Sequence, residues 1–334
     1  MRLLLLLHII LSPLWCAIAV GATDCDVQAD GTCAAATEQE CIDSDPEYCP
    51  KWAAAGECDA NPTYMMHACQ VSCRACSKSA QELERIIAQR IKCPLDRSVP
   101  TVLPQKGDLD QLFEHRIINS DNDDTKNKKH YTTTVLSKDP WLVQLDDFLT
   151  QDECDLLIQW GHYQGFQRSH VATDGEIIAR GRTSATAWCY GSSCLGAIQH
   201  VTQKIMNLIN IPSENYEWLQ ILEYKEGQFY SQHHDYHGEH SERQCGPRIL
   251  TLFLYLNDVE EGGTTNFNRL NVTIQPKRGR ALIWPSVLND DIWASDMRTE
   301  HEARPVKKGI KYGANVWIHA RDYKGLTENN CHRI

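Results

Sequence analysis

Beyond residue 22 the sequence has no apolar run long enough to cross a bilayer, and it is poor in glycine and proline. Its 334 residues include 19 Gly and 13 Pro, too few for a collagen-like or low-complexity chain. Basic residues are also in deficit, since 33 Lys and Arg stand against 44 Asp and Glu. A chain with a net charge of −11 lacks the positive surface that drives binding to phosphate backbones. We therefore expect a globular protein that does not bind nucleic acid.

The first 22 residues have the pattern of a secretory signal peptide. Arg2 precedes a mainly apolar run, residues 3–22, that ends in small residues, and this pattern predicts cleavage after Ala19 or Ala22. An uncleaved membrane anchor is the alternative, but Pro13 interrupts the run, which barely reaches the ~18 to 20 residues of a spanning helix. We expect the protein in the secretory pathway, in the lumen of the endoplasmic reticulum or Golgi, or secreted.

The cysteine content fits an oxidising compartment. Of 15 cysteines, Cys16 lies in the signal segment, and the other 14 are an even number that favours disulfides. Eight of them fall between Cys25 and Cys76, a density at which cross-links rather than a hydrophobic core hold a fold. Asn271 begins an Asn-Val-Thr sequence, which is an acceptor for glycosylation.

Six cysteines give residues 41–76 a resemblance to the ShK toxin-like (ShKT) domain family. Six cysteines alone allow ~15 pairings. The resemblance implies the three disulfides Cys41–Cys76, Cys49–Cys69 and Cys58–Cys73. Channel-blocking members carry a lysine before the tyrosine that matches Tyr64, and here that residue is Thr63. We therefore favour an auxiliary module that binds an unknown partner over a toxin.

The other cysteines follow no family pattern. Cys189 and Cys194 flank a loop that is short enough for a local disulfide. Cys154 lies on the apolar face of a predicted helix, which favours a free buried thiol. The sequence leaves open the pairing of Cys25, Cys33, Cys93, Cys154, Cys245 and Cys331.

Composition and periodicity divide the chain into segments. Helical spacing of apolar residues predicts helices at 80–92, 107–118 and 152–163. The predicted boundaries are a signal peptide at 1–22, a short cysteine-containing segment at 23–40, the ShKT module at 41–76, a helical linker region at 77–136, a large domain at 137–322 and a C-terminal tail at 323–334.

Short β-forming runs dominate the large domain. Segments 249–256, 280–284 and 312–319 are apolar, rich in β-branched and aromatic residues, and bounded by turn residues, as expected for buried strands. We predict an α+β fold in which a double-stranded β-helix, or jelly roll, is flanked by helices.

A His-x-Asp pair in the large domain indicates a metal site. Alternate residues of a strand point to one face, so His233 and Asp235 can share a metal while His234 points elsewhere. A distant His301 would complete the two-histidine, one-carboxylate triad that leaves open positions on Fe(II). Ten residues later, Lys311 could hold the distal carboxylate of a dicarboxylic cosubstrate.

With these residues, the sequence resembles the prolyl 4-hydroxylase branch of the Fe(II)/2-oxoglutarate dioxygenases over about 140–320. The matching stretches are 147–149 with Glu153 and Cys154, 182–184, 224–235, 248–251, 255–265, 276–282, 301–306 and 311–317. The family implies Fe(II), 2-oxoglutarate as cosubstrate and L-ascorbate as reductant.

The resemblance also implies a role for individual residues. It makes His233, Asp235 and His301 the iron ligands. It places Lys311, Thr265 and Tyr224 around 2-oxoglutarate. It implies that six residues line a groove for a proline-rich peptide: Arg182, Ser184, Tyr230, Arg248, Trp317 and His319.

The function predicted from the sequence is a prolyl 4-hydroxylase that acts on proline-rich proteins of the secretory pathway and releases succinate and CO2. Three alternatives remain open at this point. The same chemistry could act on lysine or another side chain, or the chain could be a non-catalytic extracellular protein that binds through its ShKT module. A zinc hydrolase would leave Lys311 and the Glu-Gly-Gly segment at 261–263 unexplained.

Overall fold

The structure, a computed structural model, describes residues 26–27, 33–34, 41–54, 56–76, 78–92, 98–119, 130–169, 181–238, 240 and 243–328. The predicted signal peptide at 1–22 lies outside these ranges, as do Cys25, Cys93 and Cys331. The chain divides into two compact units. The smaller contains Met1–Cys58 and Thr63–Lys78, and the larger contains Asp59–Pro62 and Ser79–Ile334.

The strands within the described ranges are β1 (Asp26–Val27), β2 (Cys33–Ala34), β3 (Thr132–Lys138), β4 (Trp141–Asp146), β5 (Gln167–Arg168), β6 (Ala185–Trp188), β7 (Gln220–Tyr224), β8 (Tyr230–His233), β9 (Arg248–Tyr255), β10 (Glu261–Gly262), β11 (Thr265–Phe267), β12 (Val272–Ile274), β13 (Ala281–Pro285), β14 (His301–Ala303), β15 (Val306–Lys308) and β16 (Lys311–His319). The helices are α1 (Cys49–Ala54), α2 (Glu57–Ala60), α3 (Pro62–Ala68), α4 (Ala80–Lys92), α5 (Asp108–Gln111), α6 (Gln151–Gln164), α7 (Gly191–Ala197), α8 (Gln199–Ile209) and α9 (Lys324–Glu328), with a π-helical segment at Leu112–Ile118. None of the helices in the described ranges is long and apolar enough to cross a membrane.

Disulfides hold the smaller unit together. They join Cys41 to Cys76, Cys49 to Cys69 and Cys58 to Cys73, which is the pairing that the ShKT resemblance implies. Asp43 adds a polar link, because its carboxylate accepts hydrogen bonds from the backbone N–H groups of Val71 and Ser72 and from the Ser72 hydroxyl. Few large apolar side chains are buried here, Met65 and Met66 among them.

The larger unit contains two antiparallel sheets that enclose a common core. The larger sheet has the strand order β3-β4-β13-β9-β16-β7-β6-β5, and the smaller has the order β12-β11-β14-β8. Strands β10 and β15 form a separate pair. Helices α6 and α8 contribute to the core on the other face of the larger sheet. The prediction of an α+β jelly roll with flanking helices is confirmed.

Strand β9 shows how the larger sheet separates two cores. Leu252 and Leu254 belong to the core that α6 and α8 cover. Phe253 and Tyr255 alternate with them and pack with Trp284 between the two sheets. Successive side chains of a strand point to opposite faces, so a strand that is buried on both faces has an uninterrupted apolar sequence. Each side chain buried in this way stabilises the fold by roughly 1.5–3 kcal/mol.

Segments outside the predicted range 137–322 also pack onto this domain. Strand β3 begins at Thr132. Further upstream, the Phe113 ring stacks on Trp141 with a centroid separation of 5.3 Å. Downstream, the Tyr323 ring stacks on His319 at 4.8 Å. Each of these segments contributes only a few apolar side chains to the domain. Such a short pattern could not predict from the sequence that the segment packs on the sheet.

Candidate active site

Three potential metal ligands converge between the two sheets. His233 ends β8, His301 begins β14, and the two residues are paired across these antiparallel strands. Asp235 lies in a bend two residues after β8 rather than on the strand, which corrects the prediction that His233 and Asp235 share one strand face. One ligand atom from each of the three side chains lies within 4.8 Å of the other two.

Hydrogen bonds orient each of the three ligands. The Nδ1 atom of His233 lies 2.8 Å from the carbonyl oxygen of Ser231, and that of His301 lies 3.1 Å from the carbonyl oxygen of Thr299. Because a carbonyl accepts, Nδ1 carries the proton and Nε2 keeps its lone pair for a metal. The Thr251 hydroxyl donates to Asp235 Oδ2 at 2.7 Å. Two imidazoles and one carboxylate are the donor set that suits Fe(II).

Burial and mutual proximity keep the ligands in their metal-binding protonation states. Burial, followed by the neighbouring His301, lowers the pKa of His233, and burial likewise lowers the pKa of His301. Burial opposes ionisation of Asp235, but His301 and His233 lower its pKa to about 2. At neutral pH the site therefore presents neutral imidazoles and a carboxylate.

His234 connects the two loops that carry the ligands. Its Nε2 atom lies 2.9 Å from the carbonyl oxygen of Asp296 and 3.0 Å from the Thr299 hydroxyl. Its Nδ1 atom accepts the backbone N–H of Tyr236 at 3.0 Å. The side chain therefore points away from the metal ligands, as the sequence predicted, and ties the segment before His301 to the segment after His233.

A pocket beside the three ligands contains a buried lysine. Lys311 begins β16, is fully buried, and lines the pocket together with His233 and His301. Its Nζ atom lies 5.4 Å from the ring centroids of Tyr224, Phe253 and Tyr255. Among the described residues it has no hydrogen-bond acceptor. Burial lowers the pKa of Lys311 to about 7.

The remaining polar groups of the pocket suit a carboxylate ligand. Thr265 lines the pocket, and its hydroxyl accepts a hydrogen bond from Tyr255 at 2.7 Å. Gly263 has φ +65°, and a Cβ there would lie 3.4 Å from Cδ of Lys311. At neighbouring Gly262, also at positive φ, a Cβ would lie 2.5 Å from the carbonyl oxygen of Pro305. The paired glycines therefore let the chain pass close to the lysine, and a buried cation beside a hydroxyl can bind a carboxylate.

Of the six predicted groove residues, Tyr230 contacts a metal ligand, and Arg182 packs on Tyr230. The Tyr230 ring stacks on His233 with a centroid separation of 3.5 Å. The Arg182 guanidinium lies over the Tyr230 ring, 4.6 Å from its centroid. Arg182 also donates hydrogen bonds to Ser184 and Gln220. This packing fixes Tyr230 at the mouth of the pocket.

Ser184 and His319 are fully buried, and their place in the groove remains a prediction. The Ser184 hydroxyl accepts from Arg182 at 3.1 Å. His319 lies 2.8 Å from a carboxylate oxygen of Glu217. Burial alone would lower the pKa of His319, but the Cys245 and Glu217 side chains raise it to about 9. Each of the two side chains forms a hydrogen bond with a neighbouring side chain.

Arg248 and Trp317 form a second group beside the site. The Arg248 guanidinium lies 3.8 Å from the ring centroid of Trp317 and forms a double hydrogen bond with Glu217. Sequence reasoning missed Glu217, Gln220 and Tyr255. The signal for Glu217 was an acidic residue inside an apolar segment, and the signal for Tyr255 was its place two residues after Phe253 on the same strand face.

The structure also has the Cys189–Cys194 disulfide, and it leaves Cys154 and Cys245 as buried free thiols. Asn271 is exposed in the turn before β12, where a glycan could be attached, and glycosylation there remains a prediction.

Two family models match the chain. The model described as "2OG-Fe(II) oxygenase superfamily" matches residues 219–319, which contain the three metal ligands and Lys311. The model described as "ShK domain-like" matches residues 40–76. The predicted enzyme class and the predicted cysteine module are both confirmed.

Named relatives agree with the family models. "Probable prolyl 4-hydroxylase 10" of Arabidopsis thaliana is 30% identical over 251 residues, which are 65% of this chain and 81% of that protein. "Probable prolyl 4-hydroxylase 8" of the same plant is 31% identical over 211 residues, 57% of this chain and 72% of that protein. The structure of viral collagen prolyl hydroxylase from Paramecium Bursaria Chlorella virus-1 aligns with a TM-score of 0.44 and 31% identity, over 54% of this chain and 96% of that one.

The family implies Fe(II) and 2-oxoglutarate, and the donor set and the buried lysine fit both. With its two imidazoles, its carboxylate and its enclosed cation in one pocket, the chain belongs to the prolyl 4-hydroxylase family of Fe(II)/2-oxoglutarate-dependent dioxygenases.

Proposed function

We propose that the protein hydroxylates C4 of proline in proline-rich segments of secretory-pathway proteins and releases succinate and CO2. One observation carries the proposal: three iron-type ligands and a buried lysine without a hydrogen-bond acceptor among the described residues line one pocket. The named relatives support proline as the target.

The pocket residues would hold the cosubstrate and the metal. Bound Fe(II) would supply activation of O2 coupled to decarboxylation of 2-oxoglutarate. His233, Asp235 and His301 would hold the ion. Lys311 would donate to the distal carboxylate of 2-oxoglutarate, with the Thr265 hydroxyl beside it. The apolar and aromatic walls would exclude water and strengthen these polar contacts.

The mouth of the pocket suits an extended peptide. The Tyr230 ring lines the pocket and is only partly buried, so it can contact a proline ring. Arg182 and Trp317 are buried and would support the groove from behind its surface. A polyproline II segment has this extended shape before it binds, so it loses little conformational entropy on docking. These properties favour proline-rich segments over flexible lysine side chains as the substrate.

We also propose the compartment and the accessory reductant. The predicted signal at 1–22, the disulfides and the exposed Asn271 support entry into the secretory pathway. The family resemblance supports L-ascorbate as the reductant. The ShKT module, with Thr63 exposed where toxins carry lysine, would bind a partner rather than block a channel.

The test is succinate release from 2-oxoglutarate across proline-rich and lysine-containing peptides, with mass spectrometry of the peptides. We expect 4-hydroxyproline in the proline-rich peptides, and loss of turnover after iron removal that added Fe(II) restores. The His301→Ala variant should be inactive, and circular dichroism should show that it stays folded.

Other outcomes would select an alternative. Hydroxylation on lysine alone would keep the enzyme class and reject the substrate. Normal turnover after rigorous iron removal would reject the metal assignment. Absence of any 2-oxoglutarate turnover in the iron-loaded protein would support a non-catalytic binding protein.

A further inference from the structure

We propose that an aromatic strip leading outward from the pocket docks the residues of a proline-rich substrate that flank the hydroxylated proline. The strip consists of Trp317, Trp188, Tyr190 and Trp218. The proposal rests on the proposed function, because it extends the same peptide groove, and it assigns to Trp188, Tyr190 and Trp218 a role in substrate length preference.

The strip begins beside the metal ligands. Trp317 on β16 is paired with Thr251 on β9, and paired residues of antiparallel strands point to the same face. The Thr251 hydroxyl donates to the metal ligand Asp235 at 2.7 Å. Trp317 therefore lies on the inner face of the sheet, next to the residue that orients Asp235.

Register places Trp188 on the same face. Trp188 is paired with Gln220 across β6 and β7, and Gln220 is paired with Asn315 across β7 and β16. Asn315 lines the pocket. Because paired side chains share a face, Trp188 continues the pocket wall toward the edge of the sheet.

Ring contacts carry the strip to the surface. The centroids of Trp317 and Trp188 are 6.3 Å apart, those of Trp188 and Tyr190 are 6.0 Å apart, and those of Tyr190 and Trp218 are 6.2 Å apart. Exposure rises along this path, from 5% at Trp317 to 52% at Tyr190. The path thus runs from the almost enclosed Trp317 through the half-buried Trp188 to the open Tyr190, with the half-buried Trp218 beside Tyr190.

The backbone holds Tyr190 in place although its ring is exposed. The Cys189–Cys194 disulfide closes the short loop that contains it. The backbone N–H of Cys189 donates to Leu219, and the Tyr190 carbonyl accepts from the Gln164 side chain. An exposed aromatic ring on a constrained backbone loses little conformational entropy when it binds a ligand.

The chemistry of the strip matches a polyproline II ligand. Each centroid step of 6.0 to 6.3 Å corresponds to roughly two residues of polyproline II at ~3.1 Å per residue. The indole N–H of Trp317 is buried without a hydrogen-bond acceptor in the described part of the chain. Proline-rich segments supply apolar rings and carbonyl acceptors while lacking N–H donors, so they suit the ring faces that are accessible at Trp188 and Tyr190.

The test compares peptides of two lengths. A five-residue and a fifteen-residue proline-rich peptide are assayed with the iron-loaded full chain, and KM is measured for each. The variants are Tyr190→Ala and Trp218→Ala, with Tyr190→Phe as the conservative change. Tyr163→Ala is the matched control, because Tyr163 is a surface tyrosine that is 79% exposed on α6. Fluorescence anisotropy of the labelled long peptide gives Kd independently of turnover.

We expect the wild-type enzyme to prefer the long peptide. The ratio of short-peptide KM to long-peptide KM should fall by roughly 2- to 10-fold in each alanine variant, as an aromatic contact predicts, and should be kept in Tyr190→Phe and Tyr163→Ala.

Unchanged long-peptide KM and Kd in both alanine variants, with proline still hydroxylated, would overturn the strip and leave the proposed function intact. A wild-type protein that neither binds nor hydroxylates proline-rich peptides would overturn both. Weaker binding of the long peptide by Tyr190→Ala, without proline hydroxylation in the wild type, would support the strip alone.

Discussion

Lys311 is fully buried and Arg248 is largely buried, with 12% of its side chain exposed. The two cations lie on neighbouring strands of one sheet, and their surroundings are opposite. Arg248 on β9 forms a double hydrogen bond with the Glu217 carboxylate. Lys311 on β16 is surrounded by aromatic rings and finds no acceptor among the described residues. Burial of an unpaired charge is costly, so the protein supplies the partner of Arg248 and leaves the partner of Lys311 to a ligand. The comparison separates a structural ion pair from a binding group.

The pKa values follow the same division. Burial lowers the pKa of Lys311 to about 7. Burial also acts to lower the pKa of Arg248, but the Glu217 carboxylate outweighs it and raises that pKa. One cation thus keeps its charge through a permanent partner. The other is only partly protonated near neutral pH until an anion binds.

The largest expected effect is a loss of folding stability when Arg248, the paired cation, loses its partner. Replacing Glu217 with Ala leaves the largely buried Arg248 without its carboxylate, and breaking a buried ion pair costs about 3–5 kcal/mol of stability. The free energy of unfolding, measured by chemical denaturation, checks this value. The control is Glu261→Ala, which removes the exposed partner of Lys307 and should cost less than ~1 kcal/mol. Equal losses of unfolding free energy in the two variants would contradict the claim that the Arg248–Glu217 pair stabilises the fold more than a surface pair does.

The next effect is the pH dependence of 2-oxoglutarate binding. The carboxylate binds the protonated form of Lys311, whose pKa is about 7 in the ligand-free protein. The protonated fraction is nearly complete below this pKa and falls about tenfold per pH unit above it. Affinity for 2-oxoglutarate should therefore fall as pH rises from ~7 to ~9, whereas Lys311→Met should show no such dependence. Calorimetry across this range measures it, and a flat wild-type profile would contradict the pKa argument.

A smaller effect is expected at Tyr255, whose hydroxyl donates to Thr265. Tyr255→Phe removes this hydrogen bond and leaves the Thr265 hydroxyl less well oriented, which should weaken 2-oxoglutarate binding by about 0.5–1.5 kcal/mol. Titration of 2-oxoglutarate at constant pH measures the loss. Phe253→Leu, which keeps an apolar wall without touching this hydrogen bond, serves as the comparison. A Tyr255→Phe variant with wild-type affinity would show that the hydroxyl pair does not act on the ligand.

The smallest expected effect is the change in folding stability when Lys311, the unpaired cation, is replaced. Lys311→Met keeps a similar volume and removes a buried amine that lacks an acceptor, so the free energy of unfolding should change by less than ~1.5 kcal/mol. Denaturation of the ligand-free protein measures this. A loss as large as that of Glu217→Ala would mean that Lys311 has a structural partner.

Much of the fold and of the candidate site could be predicted from local sequence. The strands near 249–256 and 312–319, the His-x-Asp pair, His301 and Lys311 all lie in patterns that are visible without a structure. The chemistry of the metal site depends on residue types and on strand alternation, and both are local properties of a sequence.

The surroundings of the two cations could not be predicted in the same way. Glu217 meets Arg248 and His319 only because β7, β9 and β16 pair in a particular register. The burial of Ser184 and His319 has the same origin, since a residue's depth depends on what the rest of the sheet places over it. Asp235 was expected on a strand, but the chain bends after His233 and still brings the carboxylate to the histidines.

The most direct test of the account is calorimetric titration of 2-oxoglutarate into the Fe(II)-loaded protein without O2. The wild type should bind one equivalent. Lys311→Met should bind roughly 10- to 150-fold more weakly, because it lacks a charge-assisted contact worth about 1.5–3 kcal/mol. Lys307→Met, at an exposed lysine on β15, should match the wild type. Equal affinity in Lys311→Met and the wild type would contradict the claim that the unpaired cation is the binding group for the cosubstrate.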